Sequence, residues 1–235
     1  MRILQIGQGA MGQLLERELS KEHEVFSSAL SKDIPNEKFD AVIDFSHPDN
    51  LEKIAEYLHE NPTPLVLATT GFTEEQEETI ENLAKEMPVL FSYNFSIGVT
   101  LMNKLVKEMA KALAKDFDIE IIEKHHNKKL DAPSGTAQML VNSVNDGLDY
   151  EIVHGRSGHK HRAKKEIGVH ALRAGTIAGE HEVIFAGEDE ILSIKHEAHS
   201  KLIFAKGAIR GMNWLINQPT GLYNMENVLE LGEKI

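Results

Sequence analysis

Six residues near the start of the chain limit its fold more than any others. Gly7-Gln8-Gly9-Ala10-Met11-Gly12 follows a short apolar run, Ile3–Ile6. It opens a segment in which Met11, Leu14, Leu15 and Leu19 recur at helical spacing. A strand, a glycine turn and a helix in that order suit a dinucleotide. The glycines permit the tight turn and let the backbone approach a pyrophosphate, which sits on the helix N-terminus. A glycine-rich turn without a ligand is the alternative, and the strand–turn–helix setting argues against it.

The following residues continue the alternation. Val25–Leu30 and Ala41–Phe45 read as strands, and Leu51, Ile54, Ala55 and Leu58 give a helical face. Leu65–Ala68 is another buried strand, Thr73 and Gln76 form a capping box, and Val89–Phe91 closes the series. Near-continuous apolar strands between helices predict an α/β fold, a Rossmann-like parallel sheet with helices on both faces. After Asn94 the pattern changes. A helix is expected over 97–115, a strand over 118–123 and a helix over 136–145. Strands follow at 167–172, 176–185 and 191–198, the last two joined by the hairpin turn Gly187-Glu188-Asp189-Glu190. This half reads as α+β with a mostly antiparallel or mixed sheet. Helices over 205–216 and 227–231 pack back on the first half.

Composition removes several functions. The chain has 235 residues, no cysteine and a formal net charge of −12. A disulfide scaffold, a thiolate metal site and a cysteine nucleophile are excluded. The acidic balance argues against a nucleic-acid or anionic-membrane partner. The charge-free run Met87–Asn103 is too short and too polar to span a bilayer, and no signal-peptide layout is present, so a cytoplasmic location is expected.

The dinucleotide's ribose should be read about 20 residues past the glycine turn. Ser31-Lys32-Asp33 stands there. Ser31 does not repel a 2′-phosphate and Lys32 attracts one, which tilts the reading toward NADPH; Asp33 keeps NADH open.

Nine of the 12 histidines lie between His125 and His199, which places imidazole chemistry in the second half. The densest stretch runs from Glu123 to Thr136 and holds His125, His126, Lys128 and Lys129 before turning into a helix through Pro133-Ser134-Gly135-Thr136. Backbone N–H groups at that helix start, with the Thr136 hydroxyl, make an anion site. Histidines and Lys129 beside it add charge and proton donors, suiting a small carboxylate that is protonated during reaction. Any one of these histidines alone would read as an ordinary structural residue. Adjacent strand residues point to opposite faces, so His125 and His126 are not expected to share a metal ion, and none is expected. A second basic run, His154 to Lys165, reads either as a lid closing on an anionic substrate or as a solvated loop.

These residues resemble the 4-hydroxy-tetrahydrodipicolinate (dihydrodipicolinate) reductase family. The resemblance is carried by Ile43-Asp44-Phe45-Ser46, Thr69-Thr70-Gly71-Phe72, Asn94 to Val99, Glu123 to Ala137, Glu166 to Gly175 and Gly179-Glu180-His181. It implies reduction of 4-hydroxy-tetrahydrodipicolinate to tetrahydrodipicolinate by NADPH or NADH in diaminopimelate and lysine synthesis. It also implies a dinucleotide-binding domain over 1–95 completed by 205–235, a substrate-binding and oligomerisation domain over 96–204, and a homotetramer. By motif match His125 resembles the family's proton donor or acceptor and Lys129 its proton donor. His126, Gly135 and Thr136 resemble its substrate-carboxylate contacts. Ala68-Thr69-Thr70 and Ser92-Tyr93-Asn94-Phe95 resemble the loops that hold the nicotinamide end. The chain departs from the family where Gly7 to Gly12 is one residue shorter than the usual turn and Ala10 replaces its basic residue. Further departures are Ser31 in place of a second-strand acid, Ala68 in place of a glycine, and Lys201 in place of an arginine.

Two other functions remain open at this point. One is a two-domain dehydrogenase of an amino-acid semialdehyde or a polyol. The other is a dinucleotide-binding sensor without catalysis, against which the joint presence of His125, His126, Lys129, Gly135 and Thr136 argues.

Overall fold

The computed structural model describes residues 1–29, 34 and 37–231. The chain divides into two compact units, one comprising residues 1–97 and those from 201 onward, the other residues 98–200.

The first unit begins with β1 (Arg2–Ile6), α1 (Ala10–Leu19), β2 (Glu24–Ser28), β3 (Ala41–Asp44), α2 (Leu51–Glu60), β4 (Leu65–Leu67), α3 (Glu74–Leu83) and β5 (Pro88–Phe91). The chain leaves through α4 (Ile97–Leu113), β6 (Asp118–His125), α5 (Gly135–Asn145), β7 (Glu151–His154), β8 (Glu166–Arg173), β9 (Gly179–Ala186) and β10 (Ile191–Ala198). It returns to the first unit as α6 (Leu202–Leu215), β11 (Gly221–Tyr223) and α7 (Met225–Val228).

The sheet of the first unit has six parallel strands in the order β11-β5-β4-β3-β1-β2. Its strands alternate between two cores. Leu4, Ile6, Val42, Leu65, Leu67 and Val89 face α2 and α3, which contribute Ile54, Leu58, Ile80 and Leu83. Ile3, Ala41, Ile43, Val66 and Leu90 face α1 and α6, which contribute Leu15, Leu19, Ala205, Ala208, Met212 and Leu215. Sequential strands buried on both faces read as continuous apolar runs for this reason. The capping box of Thr73 and Gln76 is formed at the start of α3.

The returning helix α6 fits closely. A Cβ added at Gly207 would overlap the Phe95 carbonyl oxygen. In an open helix, replacing glycine by alanine gains up to about 1 kcal/mol. Here overpacking is expected to win, and Gly207→Ala should cost about 1–3 kcal/mol. The midpoint of urea unfolding read by Trp214 fluorescence checks this; an upward shift would show that the backbone yields freely.

The second unit holds a mixed sheet in the order β10-β9-β6-β8-β7, with β10, β9 and β6 antiparallel and β6, β8 and β7 parallel. Helices α4 and α5 cover one face through Met102, Val106, Leu140, Val141 and Val144 packed on Ile119, Ile121, Ile167, Val169, Val183 and Phe185. The expected strands and hairpin are present. Strands β7 and β11, of four and three residues, are additions that periodicity missed. No helix among the described residues is long and apolar enough to cross a membrane.

Candidate functional site

In the first unit the glycine turn is built for close approach. Gly7 has φ +104°, a value that favours glycine. Its N–H donates to the Ser28 carbonyl at 2.8 Å, and an added Cβ would overlap the Phe45 carbonyl oxygen. A Cβ on Gly12 would overlap the Gly7 carbonyl, so α1 rests directly on the turn. The buried Gln5 amide donates to that carbonyl and accepts from Ser27 Oγ at 2.7 Å. Gly9, by contrast, has open space around it. It is the N-cap of α1, with no side-chain cap and no acid in the first turn. The three glycines thus divide the labour of a pyrophosphate turn: one bends, one admits the ligand and one seats the helix. The residues present fit a dinucleotide.

A cavity of about 710 Å³ lies in front of this turn, lined by Gly9, Ala10 and Met11, by Ala68, Thr69 and Thr70, and by Ser46 to Asp49 among others. The strand ends after β3 and β4 are tied together beneath it. Ser46 Oγ donates to buried Asp44 at 2.5 Å, and the Ser46 N–H donates to Thr69 Oγ1 at 2.9 Å. Burial pushes the Asp44 carboxyl up to about 6, against the hydroxyls of Ser46 and Thr69, which pull it down.

The expected cofactor residues separate here. Gly9, Ala10, Met11, Ala68, Thr69 and Thr70 line the cavity, with Gly7, Gln8 and Gly12 in the turn behind. Ser92-Tyr93-Asn94-Phe95 does not line it. Phe95 is in the core, its ring 6.2 Å from that of Phe45, and Tyr93 donates its hydroxyl to Glu77 at 2.6 Å. Ser31 and Lys32 lie outside the described residues.

In the second unit, strand alternation places Ile119, Ile121, Glu123 and His125 on the buried face of β6. Register supplies the rest: Arg173 on β8 stands beside His125, and His181 on β9 stands beside Glu123. Arg173 donates a fork to Glu123, Nη1 to Oε2 at 2.8 Å and Nη2 to Oε1 at 2.7 Å. His125 Nδ1 is 2.6 Å from Glu123 Oε2, and the Ser134 N–H donates to Oε1 at 3.1 Å. Burial raises the Glu123 carboxyl, but Arg173, His125 and Ser134 outweigh it and hold it below the usual range.

Ser134 caps α5 by accepting from the Ala137 N–H at 3.2 Å, and its Oγ is 3.0 Å from His181 Nε2. His181 is buried, with its ring edge-on to His125 at 5.2 Å. Burial first, and the charge of His125 second, lower it to about 4, so it is neutral at pH 7. Exposed Gly135 and half-buried Thr136 begin α5, whose first turn has no acid, which leaves a positive helix end suited to an anion. Lys129 sits in the turn after β6 with its ammonium 2.8 Å from Asp131 Oδ1, and His126 is half-buried. All five expected catalytic and substrate residues therefore fall between the end of β6 and the first turn of α5. Glu123, Ser134, Arg173 and His181 complete the cluster, and sequence reasoning gave them no role in the site. The signal was an acid that continues the apolar face of Ile119 and Ile121 into the strand end at His125.

The basic run of 154–165 is mostly exposed, but two of its arginines are tied to the sheet. Arg162 donates to Asp118, Glu120 and the carbonyls of Ile119 and Glu166, and Arg156 pairs with Glu120 and Glu166. Its arginines neutralise acids on the sheet, which the sequence pattern alone did not reveal. Among the described residues no group of three or more His, Asp or Glu is placed to hold a metal.

Comparison with known proteins agrees across both units. Residues 5–95 match the family described as dihydrodipicolinate reductase, N-terminus, and residues 98–229 the one described as dihydrodipicolinate reductase, C-terminus. A 4-hydroxy-tetrahydrodipicolinate reductase of Brachyspira hyodysenteriae is 45% identical over 231 residues, 97% of this chain and 100% of that protein. One from Clostridium tetani is 48% identical over 192 residues, 81% of this chain and 75% of that protein. Among solved structures, a dipicolinate-bound dihydrodipicolinate reductase from Paenisporosarcina sp. TG-14 is similar with TM-score 0.78 and 25% identity, covering 97% of this chain and 98% of that one.

Proposed function

Because the chain belongs to the dihydrodipicolinate reductase family, we propose that its two units divide the family's reaction between cofactor and substrate as follows. The chain is an NAD(P)H-dependent oxidoreductase that reduces 4-hydroxy-tetrahydrodipicolinate in the diaminopimelate and lysine pathway. The reduced nicotinamide, when bound, supplies a hydride. Gly7 to Gly12 hold the pyrophosphate end and Ala68-Thr69-Thr70 the opposite wall of the cavity. Of Ser92 to Phe95, Phe95 supports the cavity from behind, through its packing on Phe45.

In the second unit the Gly135 N–H and Thr136 hold one substrate carboxylate at the start of α5, and His126 assists. Lys129 keeps a proton on its ammonium for the reduced intermediate, and His125 moves or orients charge beside it. The observation that carries this reading is the joint presence of a pyrophosphate turn and a histidine–lysine turn at a helix N-terminus in one chain. A homotetramer is supported by the uncovered face of the second sheet, where Leu172 and Ile191 stand exposed near half-buried Ile122 and Ile184. A cytoplasmic location accords with the absence of cysteine.

Cofactor preference follows from the segment past β2. Lys32 attracts a 2′-phosphate and Ser31 does not repel it, so NADPH is expected to be used somewhat faster than NADH. The test is a coupled assay in which a synthase generates the unstable substrate in place and oxidation of each cofactor is followed by absorbance. Faster NADH oxidation would reverse the cofactor reading. No oxidation of either by folded, cofactor-binding protein would discard the reaction and favour a sensor.

A further inference from the structure

The Glu123 side chain is fully buried, yet the reaction just described gives it no task. Its two oxygens serve two different parts of the site. Oε2 meets His125 Nδ1, and Oε1 takes the Ser134 N–H at the turn into α5. Arg173 grips both oxygens and keeps the group ionised against its burial, which favours the protonated form.

An ionised carboxylate only accepts hydrogen bonds, so Nδ1 of His125 must be the donor. In the neutral ring that leaves Nε2 without a proton and free for chemistry. The space at Nε2 is kept open by Gly179, where an added Cβ would lie 3.1 Å from that nitrogen. Any side chain at 179 would crowd it. The arrangement follows from strand register, because β8, β6 and β9 bring Arg173, Glu123 with His125, and Gly179 with His181 together.

Resting on the role of His125 in the proposed reaction, we infer that Glu123 is a positioning residue, locked by Arg173. It holds His125 in the Nδ1–H tautomer with Nε2 presented to the substrate, and pins the turn on which the substrate carboxylate is held. One buried charge thereby sets the proton-handling group and the anion cradle in fixed relation. A purely structural ion pair would have no reason to engage either.

The test uses the full-length protein labelled with 15N. The long-range imidazole correlations of His125, assigned by their loss in His125→Asn, report its tautomer directly. The neutral wild-type ring is expected to carry its proton on Nδ1. In Glu123→Gln the amide oxygen stays toward the Ser134 N–H and Arg173 Nη2, so the NH2 takes the place of Oε2, repels Arg173 Nη1 and faces Nδ1, and the ring proton moves to Nε2. kcat should then fall on the order of 10²-fold or more, since a misplaced tautomer is costly in acid–base sites. Cofactor affinity should be unchanged.

An Nε2–H ring in active wild-type enzyme overturns the proposal, and so does Glu123→Gln with wild-type kcat. If Glu123→Gln does not fold, the wild-type spectrum still decides. A wild-type protein with the Nδ1–H ring and no turnover overturns the reaction assigned above, and the positioning role with it. An active enzyme with the opposite tautomer overturns the positioning role alone.

Discussion

Replacing Lys129 by alanine is expected to lower kcat on the order of 10²–10⁴-fold, the usual worth of a positioned general acid. Lys129 is suited to the task by where it sits. Its ammonium is partly exposed in the turn between β6 and α5, so a proton given up is replaced from solvent between turnovers. Its partner Asp131 has its own carboxyl held below the usual range, by the Lys129 ammonium first, and stays ionised. His125 is more enclosed and its Nδ1 is committed to Glu123. The loss in Lys129→Ala should appear in kcat, and added methylammonium should restore part of it. Near-wild-type kcat at saturating substrate would remove Lys129 from proton transfer and shift that role to His125.

The two halves of the molecule were not equally legible. The first unit could be read almost strand by strand. Its sheet is parallel and its central strands are buried on both faces, so they read as near-continuous apolar runs, and its glycine turn carries the reason for each glycine in its spacing. The short edge strand β11 escaped because three residues with one exposed leucine carry no period. The second unit showed its elements and its loop of His125, His126, Lys129, Gly135 and Thr136, because those residues are adjacent in sequence. Their support was hidden. Arg173 lies 50 residues from Glu123 along the chain and Ser134 lies 47 from His181. Only strand register joins them, and a single sequence does not state register when strands from distant segments pair. The partners of the basic run of 154–165 were hidden in part for the same reason: its arginines answer Asp118 and Glu120 on β6, which are remote in sequence, as well as nearby Glu166 on β8.

Two buried groups are expected to give the stability of the protein opposite dependences on pH. Asp44, in the first unit, is raised from an ordinary 3.8 to about 6. Its folded state therefore holds a proton that the unfolded chain has released, and its contribution is lost as pH rises from 3.8 through 6. The difference, 6 − 3.8, corresponds to about 3 kcal/mol. Asp44→Asn should gain that amount relative to the wild type between pH 4 and 7, read by urea unfolding with Trp214 fluorescence. That tryptophan is the only one in the chain and stands on α6 of the same unit.

His181, in the second unit, is lowered from 6.5 to about 4. Here the unfolded chain takes up the proton first, so its contribution is lost as pH falls from 6.5 through 4, again by about 3 kcal/mol. Hydrogen-exchange protection of the β9 amides should fall with acidification in the wild type more steeply than in His181→Gln, which retains a donor for Ser134. Because the two slopes oppose each other between pH 4 and 6, a global unfolding curve of the wild type shows only their sum, and the variants separate them. Variant and wild-type curves that run parallel across this range would show that neither group is as strongly shifted as its burial dictates.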